Sequence, residues 1–87
     1  MENLREQPNL GLFIVERLKE IGIVNIDQLK AVGSENTFIK LNTVDPDSCI
    51  NRLYSLEGAI QGVRWHYLPM ERKEELRDFF NRLKKSY

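Results

Sequence analysis

Gly11, Gly22 and Gly33 stand eleven residues apart in the first third of this 87-residue chain, each directly after an apolar residue. Two of the stretches nearly repeat, Leu18-Lys19-Glu20-Ile21-Gly22 becoming Leu29-Lys30-Ala31-Val32-Gly33. Eleven residues make about three turns of α-helix, or two turns and a tight corner. Glycine accepts the left-handed conformation that most often closes a helix. The spacing therefore predicts very short helices, each stopped by a glycine and joined by tight hairpins. That architecture suits a small binding module better than an enzyme.

The rest of the chain extends the pattern. Residues 1–7 are polar and run up to Pro8, which predicts a flexible N-terminal arm before a single domain over 8–87. Ile14, Leu18 and Ile21 fall at i, i+4 and i+7, with Val15 beside them, giving a helix from Gly11 to Ile21 that Gly22 stops. Asn25 is a good N-cap for a second helix, with Gln28 at the return position of a capping box, and Gly33 ends it. Ser34 is placed to cap a third helix carrying Phe38, Ile39 and Leu41. Asp45-Pro46-Asp47-Ser48 is a turn. A fourth helix runs from Cys49 to Gln61 with Ile50, Leu53, Tyr54, Leu56 and Ile60 on one broad face. Pro69 suits the first position of a last helix, in which Leu76, Phe79, Phe80, Leu83 and Tyr87 form the stripe. Val63-Arg64-Trp65-His66-Tyr67 is the nearest approach to a strand, but it has nothing to pair with and reads as a connection plugged by Trp65. The fold class is all-α, a compact bundle of about five short helices.

Several chemistries are excluded. Thirteen basic and thirteen acidic residues cancel, which argues against strong unspecific attraction to nucleic acid. Residues 1–48 carry five basic and eight acidic groups (net −3), and residues 49–87 carry eight and five (net +3), so an anionic partner meets the second half. No stretch reaches the roughly 20 apolar residues of a membrane helix, and the start lacks the apolar core of a signal peptide. Cys49 is the single cysteine and reads as a small packing residue in a cytoplasmic protein. One cysteine and one histidine, His66, offer no metal-ligand spacing and no third group to orient a nucleophile. No phosphate-binding glycine loop is present. The expectation is no metal, no cofactor and no enzyme.

Two features point to function or to its absence. Glu57 falls in the middle of the apolar face of the fourth helix, where a carboxylate is costly unless paired. It reads as a structural group accepting backbone N–H bonds from a neighbouring helix start or hairpin, the functional alternative being a tuned acid or a partner-binding charge. Gly58 and Ala59 beside it leave room for a close neighbour. The turn Pro8-Asn9-Leu10-Gly11 opens a helix, and a helix N-terminus can hold a phosphate. Asn9 and Gly11, with Arg17 near them and Arg52 and Arg64 where folding brings them near, are the candidate DNA contacts. The alternative is that Gly11 and Gly22 are turn residues only.

Pro8-Asn9-Leu10-Gly11, Leu18-Lys19-Glu20-Ile21-Gly22-Ile23, Asp27-Gln28-Leu29 with Val32-Gly33, and Asn51-Arg52-Leu53-Tyr54-Ser55-Leu56-Glu57-Gly58-Ala59-Ile60-Gln61-Gly62 with Trp65 and Leu68-Pro69 resemble the C-terminal domain of the TfoX/Sxy proteins. The resemblance spans roughly residues 7–80, and its Leu-Tyr-x-Leu-Glu-Gly-Ala run is the distinctive part. It implies a SAM-like, helix-hairpin-helix-like domain, similar also to the C-terminal domain of the RNA polymerase α subunit. It further implies a non-enzymatic regulator of competence and transcription, with a transcription factor or RNA polymerase component as partner and DNA as a weak one. The alternative is a stand-alone interaction or self-association domain with no DNA contact. Gly22, Gly33, Glu57, Gly58 and Trp65 are expected to be structural.

Overall fold

The computed structural model describes residues 9–46 and 48–85. The expected arm over 1–7, Asp47 of the turn, and Tyr87 of the last stripe lie outside the described residues. Five α-helices follow in order: α1 (Leu12–Glu20), α2 (Ile26–Val32), α3 (Ser34–Val44), α4 (Ile50–Gln61) and α5 (Met70–Lys85), with a single 3-10 turn at Trp65–Tyr67 before α5. Among the described residues there is no strand, and the fold is an all-α bundle.

The glycines act in three different ways. Gly22 has φ +86°, and its N–H and that of Ile23 donate to the carbonyls of Lys19 and Leu18, closing α1 with a left-handed corner. This is the pairing that glycine makes accessible at a helix end. Gly33, at φ +87° and ψ 158°, ends α2 and starts α3 at once: its N–H donates to Leu29 and its carbonyl accepts from Thr37. Gly11 closes nothing. It precedes α1 with an ordinary extended backbone (φ −82°, ψ 168°).

Two cap expectations shift by one residue. Gly33 occupies the N-cap of α3, so Ser34 becomes its first helical residue and is buried. Pro69 likewise precedes α5, its carbonyl accepting from Lys73. Asn25 caps α2 as expected, accepting from the Gln28 N–H at 2.9 Å, while the Gln28 side chain accepts from Val24 rather than from the cap residue. Cys49 is exposed at the N-cap of α4 rather than packed, and Ile39 is exposed on α3.

α4 is the hub. It packs against α2, α3, the 3-10 turn and α5, and every residue from Leu53 to Ala59 is buried. A helix covered on all sides gains stability from both broad faces, at about 25 cal/mol per Å² of apolar surface removed from water. Around it Leu18, Leu29, Phe38, Leu41 and Leu76 are fully buried. No helix is long and apolar enough to cross a membrane among the described residues.

Candidate interaction site

The burial of Leu53–Ala59 within α4 forces Glu57 and Gly58 into specific arrangements. The Glu57 carboxylate accepts from Ser34 Oγ at 2.6 Å, from Gln61 Nε2 at 2.5 Å and from Arg72 Nη2 at 3.1 Å. Its described partners are therefore side chains, not the backbone N–H groups expected from sequence. The one-residue shift of the α3 cap explains this, because it turns the Ser34 hydroxyl inward. Burial, the largest single influence on Glu57, raises its pKa. The bonds from Arg72, Ser34 and Gln61 and the Arg72 charge outweigh it and hold the carboxyl below its usual range. Arg72 is raised in turn, first by its bond to Glu57, and also reaches Glu35 at 2.7 Å and Glu75 at 3.3 Å. One guanidinium thus ties α5 to α3 and α4.

Gly58 lies under the chain's N-terminal turn. A Cβ there would come within 2.8 Å of Val63 O, 2.9 Å of Asn9 Nδ2 and 3.0 Å of Trp65 N. Asn9 uses this space: its Nδ2 donates to Val63 O at 2.7 Å, and its Oδ1 accepts from Trp65 N at 2.8 Å. Both ends of the side chain are committed to backbone 54 and 56 residues further on. Of the candidate contacts, then, Asn9 is occupied within the fold, and it draws Arg64, exposed between those two residues, beside the Gly11 turn. Trp65 is half-buried, stacked on Tyr54 at 5.5 Å.

Arg17 and Arg52 also come together, around a residue that sequence reasoning did not name. Phe13, in the first turn of α1, is 55% exposed, and both guanidinium carbons lie 5.2 Å from its ring centroid. Arg17 Nε is 2.8 Å from Glu20. Arg52 pairs with Asp45 and donates to Ser48 Oγ at 3.1 Å. Leu12, 62% exposed, adjoins Phe13. The resulting surface has an aromatic centre, two arginines stacked against it, and a carboxylate balancing each. Such cation–π contacts contribute about 0.5–1 kcal/mol at exposed sites, enough to hold the arginines in place without rigidifying them. An exposed Phe beside an Arg four residues on, in a helix whose stripe lies elsewhere, was the available sequence signal.

A model of the TfoX C-terminal domain matches residues 1–80. Among curated relatives, Protein Sxy of Escherichia coli K12 is 29% identical over 82 residues, covering 94% of this chain and 39% of that protein. DNA transformation protein TfoX of Haemophilus influenzae is 26% identical over 76 residues, covering 87% of this chain and 35% of that protein. The chain thus spans well under half the length of these relatives. Two crystal structures from Listeria monocytogenes superpose closely. An uncharacterized protein has a TM-score of 0.93 at 41% identity, covering 95% of this chain and 94% of that one. A protein of unknown function has a TM-score of 0.90 at 42% identity, covering 93% of this chain and 99% of that one. With the match running over nearly the whole chain, this protein belongs to the TfoX C-terminal domain family.

Proposed function

We propose that the chain is a non-catalytic regulatory module of the competence type, working in the cytoplasm and docking on a protein partner through the exposed face of α1. The observation that carries this reading is Phe13, exposed and flanked by Arg17 and Arg52 whose charges Glu20 and Asp45 already balance. Aromatic and arginine side chains are enriched at protein interfaces. A locally neutral surface gives little of the long-range attraction that DNA binding uses. A transcription factor or an RNA polymerase component fits such a surface, and the relative named for DNA transformation supplies the competence context. Self-association through the same face is the competing protein-only outcome.

A second reading keeps DNA as a weak partner. Gly11 leaves the N-terminus of α1 without a side-chain cap and with open space where a Cβ would stand, and Arg64 is exposed nearby. Together with the Gly22 corner between α1 and α2, this favours a helix-hairpin-helix type of phosphate contact. Affinity capture from lysate, with and without nuclease, separates the two readings when wild type is run beside Phe13→Ala. Protein docking on α1 gives a nuclease-resistant partner that is lost with Phe13→Ala while Tm moves by only a few degrees. Capture that vanishes with nuclease favours DNA, and capture indifferent to Phe13→Ala refutes the assignment to this face.

A further inference from the structure

The segment Val63–Tyr67 packs Trp65 against the core and leaves Val63, Arg64, His66 and Tyr67 exposed, away from the α1 face. Tyr54, Trp65 and His66 make a series of near-parallel rings, Tyr54–Trp65 at 5.5 Å and 18° and Trp65–His66 at 4.0 Å and 24°. The series is graded in exposure: Tyr54 is buried, Trp65 half-buried and His66 exposed. Tyr67 follows with 77% of its surface open, and Met70 with 68%. Large aromatic side chains in a small domain are ordinarily covered, because each removes so much apolar surface from water. Here the two outermost rings are left uncovered on a short 3-10 turn.

Cations border these rings. Lys73 Nζ lies 5.8 Å from the Trp65 ring centroid and donates to the His66 carbonyl at 2.9 Å. That bond uses one of its three N–H groups. Arg64, immediately before the rings in sequence, is exposed; its carbonyl accepts from Tyr67 N–H, and its guanidinium has no partner among the described residues. Arg77 stands one turn beyond Lys73 on α5. Glu71 and Glu74 flank Lys73 along the same helix and dilute its field.

The geometry points to a binding site for single-stranded nucleic acid: unpaired bases stack on His66 and Tyr67, and Arg64 and Lys73 meet the phosphates on either side. Exposed rings bordered by cations are how proteins hold single strands without reading sequence. A duplex hides its base faces and cannot use the rings. The cations are few, so the site is small, covering two or three nucleotides. It stands whether or not α1 docks a protein, since it shares no side chain with the Phe13 surface.

Trp65 is the only tryptophan in the chain, so its fluorescence reports directly on the site. The full chain is titrated with oligo-dT and, separately, oligo-rU of about ten nucleotides in about 50 mM salt, alongside a duplex of equal length. Quenching by the single strands and a markedly weaker response to the duplex are expected. The stronger of the dT and rU responses identifies DNA or RNA as the preferred strand. Tyr67→Ala and His66→Ala, both at exposed positions, each weaken binding by roughly fivefold to a hundredfold, the effect of losing one base–aromatic stack. Two phosphate contacts give a log–log salt slope of about −1.4, halved in Arg64→Ala. Absence of quenching up to about 200 µM strand under these low-salt conditions overturns the proposal. So does duplex binding as tight as single-strand binding, or an affinity unmoved by both ring substitutions in variants whose circular dichroism matches the parent.

Discussion

Gly58→Ala isolates the contact on which the N-terminal turn depends. Gly58 sits inside α4, where alanine is ordinarily better than glycine by about 1 kcal/mol. Here the added methyl meets Val63 O at 2.8 Å, Asn9 Nδ2 at 2.9 Å and Trp65 N at 3.0 Å. Two of those three atoms are backbone and cannot rotate away. Forcing a methyl into such a space costs about 1–3 kcal/mol. Displacing the Asn9 amide forfeits its bonds to Val63 and Trp65, about 1 kcal/mol each. The net expectation is a loss of roughly 2–4 kcal/mol, which for a domain of this size lowers Tm by ~10 °C or more. Thermal melts followed by circular dichroism measure it. A double-mutant cycle with Asn9→Ala then tests the cause, since once the amide is gone the methyl displaces fewer bonds and costs about 1–2 kcal/mol less than in the parent. A Gly58→Ala protein as stable as the parent refutes the reasoning, and strictly additive effects refute the role given to Asn9.

The glycines and the buried ion pair make further predictions. Gly33→Ala, at a backbone conformation essentially confined to glycine (φ +87°, ψ 158°), costs about 1–3 kcal/mol, whereas Gly11→Ser, with extended backbone and open space, gains a few tenths through a new cap; a urea melt of each checks the contrast. Gly11→Asp caps as well and places a negative charge at the α1 N-terminus, so salt-sensitive duplex binding, where observed, is lost without loss of stability if phosphate sits there. Glu57→Ala, which removes the buried partner of Arg72 but leaves it Glu35 and Glu75, costs about 2–4 kcal/mol, and Glu57→Gln about half of that. Because the Glu57 pKa is depressed in the fold, its contribution is complete above the unfolded value of about 4.3 and is lost as pH falls through the lower folded value. Denaturant midpoints from pH 7 to pH 2.5 therefore fall at the acid end in wild type, and fall less steeply in Glu57→Gln.

The Glu57 pair also shows how far the sequence carries. Helix number and approximate extents follow from apolar periodicity, because α1, α4 and α5 each place their apolar residues on a regular stripe. Glu57 was legible as an anomaly, a charge in the middle of such a stripe, but its partner was missed by examining α4 alone. Arg72 lies one turn before Leu76 and so on the buried stripe of α5, as Glu57 lies on that of α4. Two opposite charges, each on an otherwise apolar face, are more economically explained by each other than by backbone groups, since a charge pair satisfies both desolvation costs at once. The cap shift at Gly33 was less accessible. Serine is the stronger cap by preference, and only the connection of α2 to α3 through a single residue hands that place to glycine. Contacts across the chain were not legible at all. Nothing in the local pattern around Asn9 signals a bond to residues 54 and 56 positions away, because an asparagine ahead of a helix reads equally well as a cap or a ligand. The same ambiguity separates the two arginine roles. Arg17 and Arg52 look like phosphate contacts in sequence; the Glu20 that neutralises Arg17 lies at i+3 in the same helix and was legible there, whereas Asp45 meets Arg52 only once the turn between α3 and α4 is folded, and only the fold brings both arginines to Phe13. Charge along the chain thus overstates the field a folded partner meets, and this neutralised surface argues for recognition by shape and aromatic contact over recognition by charge.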